Sequence, residues 1–370
     1  MVNRNGERAQ QTPSGSGRMN LEEIARLAGV SRSTVSRVIN DDPRVSDHAR
    51  RAVREVIAEH NFHPNAAARS LATRRTGILG LLIPREIDWV FSDLFFPLII
   101  KSIAVASHAA EQNLMLLMEA SDSGQSAERL FSRVIGGRHL DGIIVVSNVV
   151  EEPVVELLHR HEFPAILVGR HPIFDLSFVD VDNRASAKMV VSHLIDHGHT
   201  RIGMIGGAEN LIATLDRRDG YHDSLFAAGI PINPEYYEGG DFQEMGGYVA
   251  MRKLLALPDR PTAVFSASDV MALGAMRAVA ESGLSIPGDI ALIGFDGIER
   301  AATSTPPLSS IAQPVAELGR QAVSMLLQRI ESPAAPAMHR YLPTELCLRE
   351  SCGCSAPLAL PTKEVQRIRA

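Results

Sequence analysis

Residues 20–40 read NLEEIARLAGVSRSTVSRVIN, and this stretch predicts two short helices joined by a tight turn. Asn20 stands before an apolar stripe with Glu23 three residues on, an approximate capping box in which Asn replaces the usual Ser or Thr. Leu21, Ile24, Ala25 and Ala28 recur at i, i+3, i+4 and i+7, so they share one helix face. Gly29 supplies the left-handed stop that other residues reach only at steric cost. Val30 fills the turn, and Ser31 caps a second helix whose inward face is Val35, Val38 and Ile39. Its outward face carries Arg32, Ser33, Ser36 and Arg37, with Thr34 near the start. Short hydroxyl donors and guanidinium groups on an exposed helix suit phosphates and base edges. Asp42–Pro43 breaks the chain, and Ser46 caps a third helix whose Ala49, Val53, Val56 and Ile57 complete a small core. A three-helix bundle with a merely solvated face accounts for any one of these features. The tight turn between two capped helices points instead to a DNA-binding helix-turn-helix.

The charge is unevenly spread. The 370 residues carry a net charge of -6, which by itself argues against a wholly basic nucleic-acid binder. Up to Thr76, however, there are 13 Lys and Arg against 8 Asp and Glu, a balance of +5; the remainder has 24 against 35, a balance of -11. A basic head that meets a polyanion and an acidic body that does not fit this asymmetry. Between them Pro64 is followed by NAAARSL, residues 65–71. Asn65 caps a helix too short to stand alone in water, one that can order on DNA. Leu71 is then an exposed apolar side chain of the kind minor-groove binders wedge between base steps. A plain linker with Leu71 packed on the body accounts for the same residues.

From residue 78 the pattern changes. Short apolar runs at 78–83, 114–118, 142–146, 165–168, 202–205, 263–265 and 290–293 alternate with helix-like segments. Strands alternating with helices predict βαβ units and a parallel sheet, and a body of this length predicts two doubly wound α/β halves. The expected division is a disordered tail over 1–18, a helix-turn-helix domain over 19–63, a hinge over 64–76, a two-lobed body over 77–354 split near 197–200, and a tail over 355–370. Composition is that of an ordinary globular chain, 45% hydrophobic and 22% charged, with no run of about 18 apolar residues to span a membrane. The polar N-terminus lacks the apolar core of an export signal, so the expected location is cytoplasmic.

The segments LEEIARLAGVSRSTVSRVIN, HPNAAARSLATRRTGILGLLIP and SASDVMALGAMRAVAESGLSIPGDIALIGFDGIERAATSTPPLSSIAQP together resemble the LacI/GalR family of transcriptional regulators, over residues 20 to 354. The resemblance implies a body like the periplasmic sugar-binding proteins, with a small-molecule effector, most often a sugar, between the lobes. It implies a homodimer, tetramers not being excluded, on a palindromic double-stranded operator. Ser31, Arg32, Ser33, Ser36 and Arg37 fall on the family's recognition-helix positions, with Arg32 and Ser33 as the base-reading pair. Asn40 and Asn65 fall on phosphate contacts, and Ala68 and Leu71 on the hinge positions that enter the minor groove. In the body, Arg217 sits in an R-x-x-G segment whose Arg holds the ligand, Phe242 matches an aromatic facing it, and Asp296 matches an acidic residue accepting its hydrogen bonds. Ser268 and Asp269 follow another strand and are weighed as further ligand residues, Asp269 serving equally as a helix cap. The segment 85–96 looks longer than the family's usual first loop. Trp89 and Phe95 there can stack on a sugar ring, or Phe95 and Phe96 can open a helix and pack into the lobe.

Other motifs point elsewhere less strongly. His197–Gly198–His199 has the look of a metal pair, and His159 with His161 likewise, but two histidines at this spacing with no cysteine nearby in sequence rarely make a site. Cys347, Cys352 and Cys354 lack an adjacent fourth ligand and read as reduced thiols. Gly203, Gly206 and Gly207 do not reproduce a dinucleotide fingerprint. No nucleophile–base arrangement stands out, so no enzyme, cofactor or metal is expected. The alternative reading is the solute-binding component of a sugar transporter, which leaves the capped head without a role.

Overall fold

The structure, a computed structural model, describes residues 19–39, 41–62, 75–92, 94–118, 124–137, 139–147 and 149–354. The chain divides into two compact units, 1–76 and 77–370.

In the first unit, α1 (Leu21–Leu27), α2 (Arg32–Ile39) and α3 (Asp47–Glu59) enclose a core of Ile24, Ala25, Val35, Val38 and Val53. Both halves of the capping box form. The Glu23 amide donates to Asn20 Oδ1 at 2.9 Å, and the Asn20 amide donates to Glu23 Oε2 at 2.9 Å. Gly29 takes φ +65°, which turns the chain into α2. Val30 packs against the core, and Ser46 caps α3 by accepting from the Ala49 amide at 3.4 Å. Each cap satisfies a backbone donor that a helix end leaves orphaned.

The body begins with β1 (Ile78–Ile83), α4 (Ile87–Ser92), α5 (Phe95–Ala109), β2 (Asn113–Met118), α6 (Gly124–Leu130), β3 (Gly142–Val146), α7 (Pro153–Arg160), β4 (Ala165–Val168) and β5 (Phe178–Val181). It continues with α8 (Asn183–Asp196), β6 (Ile202–Ile205), α9 (Ile212–Ala227), β7 (Tyr237–Glu238), α10 (Glu244–Leu255), β8 (Ala263–Ser266), α11 (Asp269–Glu281), β9 (Ala291–Asp296), α12 (Glu299–Ala302) and β10 (Ser309–Ala312). It closes with α13 (Val315–Glu331), β11 (His339–Leu342) and β12 (Glu345–Cys347). Two six-stranded sheets result, ordered 11-5-4-3-1-2 and 12-10-9-8-6-7. Every pairing is parallel except β10 with β12. Strands β3, β4, β6 and β8 are buried along their whole length, because helices cover both sheet faces. Both sheets reverse order at one point, β1/β3 in the first lobe and β6/β8 in the second. Beside such a reversal the loops at the strands' carboxyl ends diverge and leave a crevice.

The chain crosses between lobes three times: after β5, after β10 and after β11. The first crossing differs from the expected split near 197–200. Helix α8 belongs to the second lobe, because Gly220 of α9 lies so close that a Cβ there would overlap the Arg184 carbonyl. Its Ala187, Val190, Val191 and Leu194 join the core that also contains Tyr221 and Leu225. The polar contents of β5, β10 and β11 hide these strands in the sequence.

Helices α10 and α11 approach closely, because glycines replace side chains on both partners. A Cβ at Gly247 would overlap the Met271 carbonyl oxygen, and one at Gly274 the Glu244 carbonyl oxygen. Backbone cannot rotate aside as a side chain can, so Gly274→Ala should destabilise the body by about 2 kcal/mol. Urea unfolding of the variant checks this; an unchanged midpoint would mean that the helices separate without loss.

Candidate functional site

Two sites stand out, one in each unit. In the head, Ser31 Oγ accepts the Thr34 amide at 3.1 Å and lies 2.8 Å from Ser33 Oγ and 2.9 Å from Thr34 Oγ1. The hydroxyls therefore cluster at the start of α2. Ser31, Arg32, Ser33 and Arg37 are exposed, while Thr34 and Ser36 are half-buried at its edge. Arg32 Nε lies 3.6 Å from Glu22 Oε1 with both side chains exposed. Such a pair adds little stability, so Arg32 is cheaply released to a phosphate or base. Behind α2, hydrogen bonds from the Arg44 side chain and amide hold the Asp42 carboxyl well below the usual carboxylate range. Arg50 donates to the Asp42 carbonyl at 2.7 Å, which ties α3 to the end of α2. Asn40, Asn65, Ala68 and Leu71 lie outside the described residues.

In the body a cleft of about 800 Å³, its open mouth included, lies between the lobes. Arg217 is 5% exposed and carries its charge into the cleft wall. Its Nε donates to Asn183 Oδ1 at 2.9 Å, its Nη1 donates to the Ala267 carbonyl at 2.5 Å, and its guanidinium lies 3.5 Å from the centre of the Phe295 ring. This side chain is held from three sides, so it is positioned before any ligand arrives.

Asp296 ends β9 and accepts from Gln313 Nε2 at 2.8 Å. Phe242 follows β7, with the Asp241 side chain accepting the Gln243 amide at 2.8 Å. Both have positive φ, +65° at Phe242 and +120° at Asp296. Backbone strain of this kind in non-glycine residues is uncommon and concentrates at ligand sites. Gly207 makes room for the Phe242 ring, which an added Cβ would overlap. The glycines at 206 and 207 thus have a packing role beside aromatic rings.

The opposite wall is aromatic. Trp89 sits on α4, and Phe95 and Phe96 open α5, so these two both start a helix and line the cleft. The Trp89 and Phe96 rings meet edge-on with centroids 5.2 Å apart, and Arg85 lies 5.7 Å from the Trp89 ring centre.

Ser147, Asp180, Asn183 and Gln313 also line the cleft, and no local sequence pattern marks any of the four. Asp180 is buried, and desolvation pushes its carboxyl up to about 7, against the pull of the Val181 amide, which donates to it at 2.7 Å. A raised acid holds its proton in the folded state at pH values where the unfolded chain has lost it. The stability this gives is fully present below about pH 4 and lost as pH rises through about 7. Asp180→Asn should therefore flatten the fall in stability between pH 5 and pH 8 by on the order of 2 kcal/mol, read by urea unfolding at several pH values. An unchanged slope would show that Asp180 is ionised throughout.

Ser268 and Asp269, weighed as ligand residues from the sequence, are not among the residues that line the cleft. Ser268 caps α11 by accepting from the Met271 amide at 3.2 Å. Asp269 is fully buried and accepts from the Gly297 amide at 2.8 Å, the Ile298 amide at 2.9 Å and Ser310 Oγ at 2.6 Å. Burial pushes its carboxyl up and these three donors oppose that shift. Its place is in the wall behind Asp296, joining α11 to the loop after β9.

Lobe contacts close one side of the cleft. Arg170 donates to both Asp216 carboxylate oxygens at 2.6 and 2.7 Å, and the Val150 amide donates to the Asn210 carbonyl at 2.9 Å. Among the described residues no helix is long and apolar enough to cross a membrane.

Residues 20–65 match the description of bacterial regulatory proteins of the lacI family, and residues 191–352 that of a periplasmic binding protein-like domain. The chain is 36% identical over 337 residues to the HTH-type transcriptional regulator CelR of Thermobifida fusca, covering 90% of this chain and 98% of that relative. It is 35% identical over 315 residues to the ribose operon repressor of Escherichia coli K12, covering 85% and 93%. Among solved structures, a transcriptional regulator CelR–cellobiose complex superposes with a TM-score of 0.70 at 35% identity, covering 90% of this chain and 100% of that one. The lac repressor dimer bound to operator and the anti-inducer ONPF superposes with a TM-score of 0.80 at 26% identity, covering 91% and 99%. A capped helix-turn-helix, two lobes of matching strand order and these full-length similarities agree: the chain belongs to the LacI family of bacterial regulatory proteins.

Proposed function

We propose that the protein is a transcriptional repressor that binds a palindromic operator as a homodimer through α2 and is controlled by a neutral sugar in the interlobe cleft. The observation that carries the reading is the exposed hydroxyl–guanidinium face of residues 31–37 on a helix locked into its own small core. Arg32 and Ser33 are the base-reading pair, with Ser31, Ser36 and Arg37 beside them. Asn40 and Asn65 contact phosphate, and Ala68 and Leu71 enter the central minor groove. A two-fold dimer matches a two-fold operator and doubles the contacts.

For the effector, charge balance decides between chemical classes. Arg85 and Arg217 line the cleft beside Asp180 and Asp296, which suits a neutral polyol better than a phosphate or a carboxylate. Trp89, Phe96 and Phe242 supply apolar faces for the ring hydrogens of a sugar, and Asn183, Gln313 and Ser147 suit its hydroxyls. A relative solved with cellobiose and another named for ribose support carbohydrate as the class. The protein regulates carbohydrate utilisation in the cytoplasm and has no catalytic activity.

Selection of binding sites from a randomised duplex library tests the DNA reading. The expected product is a palindrome. Arg32→Ala should weaken the selected site on the order of tenfold or more and relax preference at one position per half-site, while binding to random duplex changes little. Equal loss on both would place Arg32 on phosphate only.

A further inference from the structure

The fold gathers cysteine and histidine side chains that are far apart in sequence. His193 and His197 lie four residues apart on one face at the end of α8, with ring centroids 4.3 Å apart. Cys352 and Cys354 come from the turn that follows β12. One nitrogen of His193 and the sulfurs of Cys352 and Cys354 all lie within 4.8 Å of one another. Cys354 Sγ is 3.5 Å from His193 Nε2 and 3.2 Å from His197 Nε2. The fourth ligand absent from the cysteine segment is thus supplied by a helix about 160 residues earlier. The histidine partner of His197 is His193 and not His199, whose Nδ1 instead lies 2.9 Å from Thr262 Oγ1.

We propose that His193, His197, Cys352 and Cys354 form a structural zinc site. Zn²⁺ bonds of about 2.3 Å to sulfur and about 2.0 Å to nitrogen place neighbouring tetrahedral ligands about 3.3–3.8 Å apart. The two sulfur–nitrogen separations from Cys354 match that range to about a tenth of an ångström. Cys352 lies within 4.8 Å of His193 and Cys354, and His197 stands outside that tighter group of three, so closure requires the exposed His197 side chain to move in. A second observation is independent of these distances. His197 Nδ1 lies 2.9 Å from the His193 carbonyl. That oxygen can only accept, so the proton is on Nδ1 and Nε2 turns its lone pair toward Cys354. Metal-bound histidines are oriented by this kind of backbone bond. Burial is graded as in a closed site: Cys352 is buried, His193 and Cys354 are half-buried, and His197 is exposed and forms the lid. Two thiolates and two imidazoles select zinc over magnesium or calcium, which take oxygen ligands. Binding releases the two thiol protons to solvent and involves no redox step.

The site would clamp the turn at 350–354 to α8, the helix whose other end places Asn183 in the cleft. Cys347 lies on β12, outside the cluster, and serves as an internal control.

The test uses the full chain, reduced and stripped with a chelator, then loaded with Zn²⁺ or Co²⁺. One zinc per chain should survive gel filtration, and Co²⁺ should give a thiolate charge-transfer band with tetrahedral d–d absorption. Zinc should raise the melting temperature by about 5 °C and shield two of the three thiols from alkylation. Cys347→Ser should keep the zinc stoichiometry, the cobalt spectrum and the rise in melting temperature, with both remaining thiols shielded. Cys354→Ser should abolish the charge-transfer band, or reduce it sharply. His197→Gln, at an exposed position that folding tolerates, should weaken zinc binding at least tenfold. Less than 0.1 zinc per chain under reducing conditions, or a cobalt spectrum without thiolate character, would each overturn the proposal.

Discussion

Arg217→Ala should raise the dissociation constant for the effector on the order of a hundredfold or more while leaving operator affinity without effector nearly unchanged. The side chain is buried, and it is aligned by Asn183, the Ala267 carbonyl and the Phe295 face. Truncating one member of a buried charged hydrogen-bond set costs about 2–5 kcal/mol in binding. Part of the loss is structural, because Asn183 Oδ1 and the Ala267 carbonyl lose a donor, at about 1–3 kcal/mol each. Arg217→Lys separates the two contributions. A lysine keeps the charge but cannot reach both acceptors in a fork, so it should restore stability in part and affinity very little. Calorimetry with the effector checks this, with thermal unfolding as the control. An affinity within threefold of the parent in Arg217→Ala would remove Arg217 from the ligand site.

Asp269→Ala should have the largest effect on stability, a loss of about 3 kcal/mol or more. It would leave two backbone amides and the Ser310 hydroxyl without their acceptor in a fully buried position. Each unsatisfied donor costs about 1–3 kcal/mol, and a cavity adds to that. Asp269→Asn should be milder, since the amide oxygen still accepts while its NH₂ group faces donors. Effector affinity at a temperature where the variant stays folded should change much less than in Arg217→Ala. The reverse pattern, a stable protein with effector binding destroyed, would return Asp269 to the ligand site. Denaturant unfolding with calorimetry distinguishes the two.

These residues also mark where the sequence is legible. The recognition helix can be read because its signals are local: a cap at Asn20, a stop at Gly29, a cap at Ser31, and apolar spacing between them. Strands such as GIIVV and AILV can be read because burial on both faces demands unbroken apolar runs. FVDV and SSIA escape because each carries polar groups inside a buried strand. Asp180 and Ser310 are tolerated there only through partners that the fold supplies, the latter from Asp269, 41 residues away. Overlooking β5 hides Asp180 and Asn183, two polar groups of the cleft, and places the lobe division after α8 instead of before it. Arg217, Phe242 and Asp296 come forward through resemblance to the family. Their shared cleft is a product of three crossings that no local pattern records. Ser268 and Asp269 look from sequence like Asp296, each beside a strand end, and only their hydrogen bonds within the fold tell these two from that lining residue.

A ligand in the cleft is expected to change the affinity of the helix-turn-helix unit for DNA. A ligand shifts that equilibrium only by its differential affinity for the two states. Operator affinity, measured by fluorescence anisotropy on the selected palindrome with and without the sugar that most raises the melting temperature, tests this directly. The expected result is a change on the order of fivefold or more for the parent protein and none for Arg217→Ala at the same sugar concentration. A sugar that saturates the cleft and leaves operator affinity within twofold would contradict it.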